Sequence, residues 1–165
     1  MVSLRIEDVK GFMGKLLSKE TFDNFLLIEM DIITAASFHI SGHRQKAWYD
    51  NDEWDDLADT AYVTWREIKP AAYDLIKGHR IPLKITGVFR LSEENTGRIL
   101  KKGGFAFDTD AVGGLFFNLR FEGGAVVVTT GVSMNTFTTD KSLERGWDYY
   151  FAEFLSRNEI IYIEE

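Results

Sequence analysis

Two of the three histidines lie in the same tripeptide, Gly-His-Arg, at residues 42–44 and 78–80. Imidazole exchanges a proton near neutral pH, and a guanidinium group pairs with carboxylates and phosphates. An anion-binding site would combine the four side chains of both tripeptides, namely His43, Arg44, His79 and Arg80. Two turns with solvated polar tips are the alternative, since short motif matches are often false.

A second candidate site is an acidic stretch with six Asp or Glu residues between Asp50 and Asp59. Hard cations bind several carboxylates, but the stretch lacks the D-x-D-x-D-G spacing and distal Glu of a calcium loop. We therefore predict no metal site and no cofactor. Like-charge repulsion favours a long, exposed, solvated loop, and a decoy for a partner or for DNA is the alternative.

Trp54 stands within this acidic stretch and is not part of an apolar stripe. Aromatic residues surrounded by polar ones are enriched at interface hot spots. The predicted partner-binding residues are therefore Trp54 and its acidic neighbours Asp52, Glu53, Asp55 and Asp56. The other three tryptophans, Trp48, Trp65 and Trp147, are interpreted as structural.

Several kinds of chemistry lack their sequence signals. The chain has no cysteine, which excludes disulfides, thiol nucleophiles and cysteine zinc sites. No phosphate-binding G-x-x-x-x-G-K-[ST], dinucleotide G-x-G-x-x-G or nucleophile-elbow G-x-S-x-G pattern occurs. We assign no catalytic residue, and whether the protein is an enzyme stays open.

The composition is that of a folded protein of moderate size. The 165 residues are 45% hydrophobic and 27% charged, with a net charge of −7. This balance argues against a nucleic-acid coat or a basic membrane-surface protein. Apolar runs are too short to span a bilayer, and the charged first eight residues are unlike a secretory signal. A cytoplasmic protein that does not enter membranes is expected.

Local patterns predict an α+β fold of amphipathic helices and antiparallel hairpins. Apolar periodicity indicates helices over residues 9–17, 65–77 and 92–102 and after residue 140. Alternation places Leu26, Ile28, Met30 and Ile32 on one buried face of a strand. Gly123-Gly124 predicts a tight hairpin turn between two later strands.

The two halves of the chain, residues 1–80 and 81–165, show similar patterns. A shift of 89 residues places 26–48 on 115–137 without a gap, so that Gly42 falls on Gly131 and Trp48 on Phe137. With this alignment, each half has the same order of elements: strand, helix, strand, strand, short strand, helix. An internal duplication about a pseudo-two-fold axis explains this pattern, and an ordinary α+β domain with two similar hairpins is the alternative.

This order resembles the repeating unit of DNA sliding clamps, a strand and a helix followed by three antiparallel strands. The turn Ser41-Gly42-His43-Arg44 is similar to a bacterial clamp turn that ends Asp-Gly-His-Arg. The resemblance implies a clamp-like domain, although the helices near residues 65–77 and 143–157 have no counterpart in a clamp unit. The whole sequence also resembles a small bacterial family of unknown function, which implies no particular chemistry.

Two hypotheses about function follow from these patterns. The first is a non-enzymatic, clamp-like module that works by protein contact through the acidic stretch or an exposed sheet edge. The alternative is an enzyme or ligand-binding protein that uses the Gly-His-Arg turns on a small anion. Tight DNA binding is not expected, since each clamp-type helix, at residues 7–19 and 92–102, carries a net charge of only +1.

Overall fold

Seven strands form one antiparallel sheet, and the computed structural model describes all residues from 1 to 165. The strands are β1 (Ser3–Ile6), β2 (Leu26–Ile33), β3 (Ser37–Ser41), β4 (Lys84–Arg90), β5 (Val112–Glu122), β6 (Ala125–Met134) and β7 (Tyr162–Glu164). The helices are α1 (Val9–Leu17), α2 (Asn51–Asp55), α3 (Trp65–Ile76), α4 (Glu93–Lys102) and α5 (Ser142–Arg157). Short 3-10 turns occupy Lys46–Trp48 and Thr109–Ala111. The predicted α+β class is confirmed.

The strand order is β3-β2-β4-β5-β6-β1-β7, and every neighbouring pair is antiparallel. Strands β3, β4 and β6 therefore run in the same direction and finish at the same end of the sheet. We call this the upper end. Segments 42–64, 91–111 and 135–141 leave the sheet there, and they include the acidic stretch and the start of α4.

One face of the sheet forms the core with the longer helices. Phe117, in the middle of β5, is fully buried, and its ring centroid lies 4.9 Å from that of Phe151 on α5 and 4.7 Å from that of Phe89 on β4. The predicted apolar stripe of the last helix is confirmed, since its four most buried residues are Leu143, Trp147, Phe151 and Leu155. No helix has the length and apolar character needed to cross a bilayer.

The predicted alternation along β2 is wrong at one position. A β-bulge lies between Leu27 and Glu29 where β2 pairs with β4. The extra residue, Ile28, shifts the phase of the strand, so that Leu27 joins Met30 and Ile32 in the core.

The opposite face of the sheet does not pack against the core helices, and most of its side chains are polar. Its residues line up across neighbouring strands because the ladders are in register. One row consists of His39, Asp31, Thr86, Arg120, Val127 and Arg5. The Asp31 carboxylate lies 2.8 Å from the His39 Nδ1.

Local signals in the sequence define several element boundaries. Thr64 and Glu67 form a capping box at the start of α3, and the Ser92 hydroxyl accepts a hydrogen bond from the Asn95 amide at the start of α4. Gly123 and Gly124 make the β5–β6 turn with φ of 60° and 75°, values that favour glycine.

The element order strand, helix, strand, strand, helix occurs twice, but the strand neighbours do not repeat. β4 lies between β2 and β5, whereas its predicted counterpart β1 lies between β6 and β7. The short strand expected before α3 is reduced to two isolated bridges, His43 to Tyr62 and Leu26 to Thr64. The duplication and the clamp-like arrangement therefore stay predictions.

Candidate functional site

Arg44 holds together the chain segment that leaves the upper end after β3. Its side chain is only 3% exposed, and both terminal nitrogens donate to the Glu67 carboxylate at 2.9 Å. One of them also donates to the Tyr49 hydroxyl at 2.8 Å, and Nε donates to the Asp59 carbonyl at 2.7 Å. The arginine thus connects Tyr49 and Asp59, which lie on either side of α2, to Glu67 in the first turn of α3.

The Glu67 carboxylate has a second task as the capping residue of α3. It accepts hydrogen bonds from the Thr64 amide at 2.7 Å and the Thr64 hydroxyl at 2.9 Å. Burial by itself raises the pKa of Glu67, but the hydrogen bonds from Arg44 and Thr64 outweigh burial and leave that pKa below its ordinary value. The group is therefore held in its charged form.

The acidic segment, residues 50–59, is mostly exposed, as predicted, but part of it is helical and not a loop. It begins with the short helix α2, where the Asp50 carboxylate accepts from the Glu53 amide at 2.7 Å and Glu53 accepts from the Asp50 amide at 3.1 Å. These contacts form a capping box. The hydrogen bond from the Glu53 backbone lowers the pKa of Asp50. The local spacing Asp-x-x-Glu is the sequence signal that indicates this start.

None of the six carboxylates of the acidic segment forms an ion pair within the chain. Asp50, Glu53 and Asp59 accept backbone hydrogen bonds. The other three carboxylates accept none, and they belong to the exposed residues Asp52, Asp55 and Asp56. No three acidic or histidine side chains converge closely enough to hold a metal ion. The segment is therefore a source of uncompensated negative charge.

Trp54 and Trp48 differ in exposure from what the sequence indicated. Trp54 is half-buried, and the centroid of its ring lies 5.6 Å from that of the Tyr49 ring. The Lys46 ammonium lies 5.5 Å from the centroid of the Trp54 ring. Trp48, predicted to be structural, is 85% exposed at the end of a 3-10 turn two residues before the acidic segment. The exposed tryptophan of this region is therefore Trp48, and a role of Trp54 in partner binding stays a prediction.

Phe137 is a second exposed aromatic at the upper end. It is 95% exposed and follows β6, as Trp48 follows β3. The pattern that aligned Phe137 with Trp48 supported a structural role for Trp48, and the exposure of both residues shows that this interpretation of Trp48 is wrong. The strands that lead to them are four strand spacings apart, or about 19 Å at about 4.8 Å each.

A cavity of about 550 Å³ separates the acidic segment from the first turn of α4. Carboxylates contribute to both walls. Asp56 and Asp59 lie on the side of the acidic segment, whereas Glu93 and Glu94 lie on α4. Arg98 on α4 is paired with Glu94 at 2.7 Å.

The four residues of the Gly-His-Arg tripeptides do not form one site. Arg44 is committed to Glu67, and His43 lies beside Tyr62, just before α3 begins. His79 and Arg80 are exposed beyond the other end of α3. A helix of 12 residues is about 18 Å long, so the structure separates the two histidines instead of bringing them together.

We predict weak DNA binding from the two helices that would face the duplex in a clamp. Arg98 on α4 is already paired with Glu94, and the Lys102 ammonium lies 5.3 Å from the centroid of the Tyr150 ring. Lys10, Lys15, Lys19 and Lys101 form no ion pair, but the net charge of each helix is only +1, which is too little to neutralise many phosphates. A fluorescence-anisotropy titration with duplex DNA at about 150 mM salt, where exposed charges are screened beyond about 8 Å, should show no sub-micromolar binding. Tight binding there would make DNA the leading partner.

Comparison with known proteins places the chain in a family without adding an activity. No curated protein and no solved structure matched the sequence. Residues 15–163 match DUF5721, described as a family of unknown function. The match covers nine-tenths of the sequence, and the chain therefore belongs to this family.

Proposed function

We propose that the chain binds a protein partner through the upper end of the sheet, with Trp48 as the apolar anchor and the acidic segment as its charged surround. The observation that carries the proposal is the 85% exposure of Trp48 beside six carboxylates that lack ion-pair partners. A tryptophan has a large apolar surface, and it is among the residues most enriched at interface hot spots.

The charges of this surface support a basic partner. Three carboxylates of the acidic segment make no hydrogen bond or ion pair within the chain, and one of them, Asp56, lines the cavity that Glu93 faces from α4. A basic segment with an apolar residue among its lysines or arginines would match both features, since complementary potentials direct encounter and suppress wrong partners. The partner we propose is therefore a Lys/Arg-rich protein segment with an apolar side chain that covers Trp48.

The Arg44 contacts provide the rigidity that such a surface needs. They fix Tyr49 and Asp59, which lie on either side of α2. Trp48 directly precedes Tyr49, so its backbone is held at a defined place while its side chain stays exposed. A surface that is ordered before binding loses less conformational entropy when the partner arrives.

A selection of random displayed peptides tests this function. Peptides selected on the wild-type protein should carry several Lys or Arg residues around an apolar one. They should bind Trp48→Ala about tenfold more weakly or worse, which corresponds to about 1.4 kcal/mol or more. Binding to wild type should weaken as salt rises, because the charges involved are exposed.

One control variant and one further test variant make the result specific. Tyr149→Ala removes another exposed aromatic, 64% exposed on α5, and should leave peptide binding unchanged. Replacing Asp52, Asp55 and Asp56 by Asn in one variant should weaken peptide binding and make it less dependent on salt. The proposal is wrong if no peptide is enriched, or if Trp48→Ala binds the enriched peptides as wild type does.

A further inference from the structure

The two edges of the sheet differ in how they are protected against pairing with another strand. β3 forms one edge and β7 the other. Natural edge strands are commonly blunted by charge, by proline or by shortness. β7 has three residues, ends in Glu164 and is followed by Glu165, which pairs with Arg5. β3 has five residues, Ser-Phe-His-Ile-Ser, without Lys, Arg, Asp, Glu or Pro.

Hydrogen bonds next to β3 show which of its backbone groups point away from the sheet. The Gly42 amide donates to the Ile28 carbonyl on β2 at 2.9 Å. Because successive residues of a strand alternate in direction, Ile40 and Phe38 also face β2. On the other side of β2, the Leu83 amide donates to the Ile33 carbonyl, in agreement with this phase. The outward amides and carbonyls are therefore those of Ser37, His39 and Ser41.

The sequence of β3 is nearly palindromic about His39. Ser37 and Ser41 are equidistant from it, as are Phe38 and Ile40. In a symmetric antiparallel pair, the two-fold axis lies midway between one residue and the same residue of the other copy. These two residues form a hydrogen-bonded pair only if their backbone groups face outward. His39 faces outward and is also the centre of the near-palindrome.

We propose that two copies of this chain form a homodimer by antiparallel pairing of β3 about a two-fold axis at His39. Each Ser37 then faces the Ser41 of the other copy, and the two His39 residues face each other. Each of the three outward residues donates one hydrogen bond and accepts one, and the two sheets become continuous. Such an interface is isologous, the commonest arrangement among soluble oligomers.

Side chains on the core side of β3 would add apolar contact to the pairing. Phe38 and Ile40 are half-buried and pack against the core of their own subunit. In the proposed register each Phe38 lies opposite the Ile40 of the other copy, and aromatic residues paired with β-branched ones stabilise antiparallel strands. The polar residues of β3 lie on the other face of the sheet, where His39 keeps its contact with Asp31.

Analytical ultracentrifugation of matched edge variants tests the dimer. The wild type should sediment with about twice the 18.9 kDa mass of one chain. His39→Pro removes one outward amide without removing a bond to β2, and it should sediment as a monomer. Glu164→Pro is the matched control: the Glu165 amide donates to the Ser3 carbonyl on β1, so by alternation the Glu164 amide faces outward on the other edge. This control should stay dimeric.

Cross-linking keeps the test decisive if the proline variant fails to fold. The chain has no cysteine, so His39→Cys introduces a single thiol, and two such residues would have Cα atoms about 5.5 Å apart in the dimer. A short bis-maleimide should convert His39→Cys, but not Glu164→Cys, into a covalent dimer. A monomeric wild type, a dimeric His39→Pro or preferential cross-linking at residue 164 would overturn the proposal.

Discussion

Phe151→Ala is expected to lower the free energy of unfolding by about 3–5 kcal/mol, the range for truncating a buried phenylalanine. Phe151 is fully buried in the middle of α5. Its ring stacks on Phe117 at 4.9 Å and lies 5.6 Å from Trp147, measured between centroids. Removing it leaves a cavity between α5 and the centre of the sheet, which the surrounding aromatic rings cannot close without moving.

Chemical denaturation followed by circular dichroism measures this difference, with two control variants. Tyr149→Ala lies on the same helix but is exposed, and it should change stability little. Trp54→Ala loses a half-buried contact with Tyr49 and should cost less than Phe151→Ala. If Trp54→Ala or Tyr149→Ala cost more than Phe151→Ala, the core of this fold would have been assigned to the wrong aromatic residues.

Arg44→Ala should be the most damaging change at the upper end, with a loss of about 2–3 kcal/mol in unfolding free energy. It removes the two-pronged pairing with Glu67 and leaves the Asp59 carbonyl and Tyr49 hydroxyl without their donor. Breaking a fully buried pair costs about 3–5 kcal/mol. Glu67 is 40% exposed, so water can solvate the remaining carboxylate, and the expected loss is smaller. Arg44→Lys should recover only part of the lost stability, because an ammonium group cannot donate two parallel hydrogen bonds to the Glu67 carboxylate.

The pH dependence of stability distinguishes loss of the ion pair from loss of packing. The pKa of Glu67 is lowered in the folded protein, so this carboxylate stabilises the fold above its unfolded pKa. That contribution disappears as pH falls through the lowered folded pKa. Denaturation at a series of acidic pH values should therefore show a smaller acid-induced loss in Arg44→Ala than in wild type. Identical pH profiles would show that Arg44 does not stabilise the charged form of Glu67.

Much of the fold was predictable because the signals that specify it are local. The capping residues Thr64 and Ser92, the Gly123-Gly124 turn and the stripe of α5 each depend on neighbours within about one or two turns of chain. The bulge at Ile28 was not predictable from alternation, because it is defined by the pairing of β2 with β4. The strand order likewise depends on contacts between distant segments.

The sequence indicated an exposed tryptophan next to the acidic residues, but the exposed one is Trp48 and not Trp54. Exposure of a tryptophan depends on what packs against it, and Trp54 finds Tyr49 and Lys46 after α2 forms. The capping spacing of Asp50 and Glu53 would have indicated this helix. The pairing of Arg44 with Glu67 joins residues 23 positions apart, and nothing in the sequence near Arg44 distinguishes such a partner from an anionic ligand.

The proposed protein contact and the proposed dimer use different parts of the same region. Trp48 and the acidic segment lie beyond the end of β3, whereas the pairing surface is the strand itself. Because the paired strands are antiparallel, a β3 dimer would place its two acidic segments at opposite ends of the continuous sheet. Only a partner long enough to reach both ends would gain affinity from the two linked sites.

Fluorine NMR of the protein labelled with fluorotryptophan tests the central claim most directly. The four tryptophans lie in different surroundings, with Trp48 exposed, Trp54 half-buried and Trp65 and Trp147 buried. We predict that a basic peptide of lysine, leucine and glycine shifts the Trp48 signal, that the signals of Trp65 and Trp147 stay in place, and that added salt reverses the shift. A Trp48 signal that does not respond to the peptide, or responds no more than those of the buried tryptophans, would contradict the account.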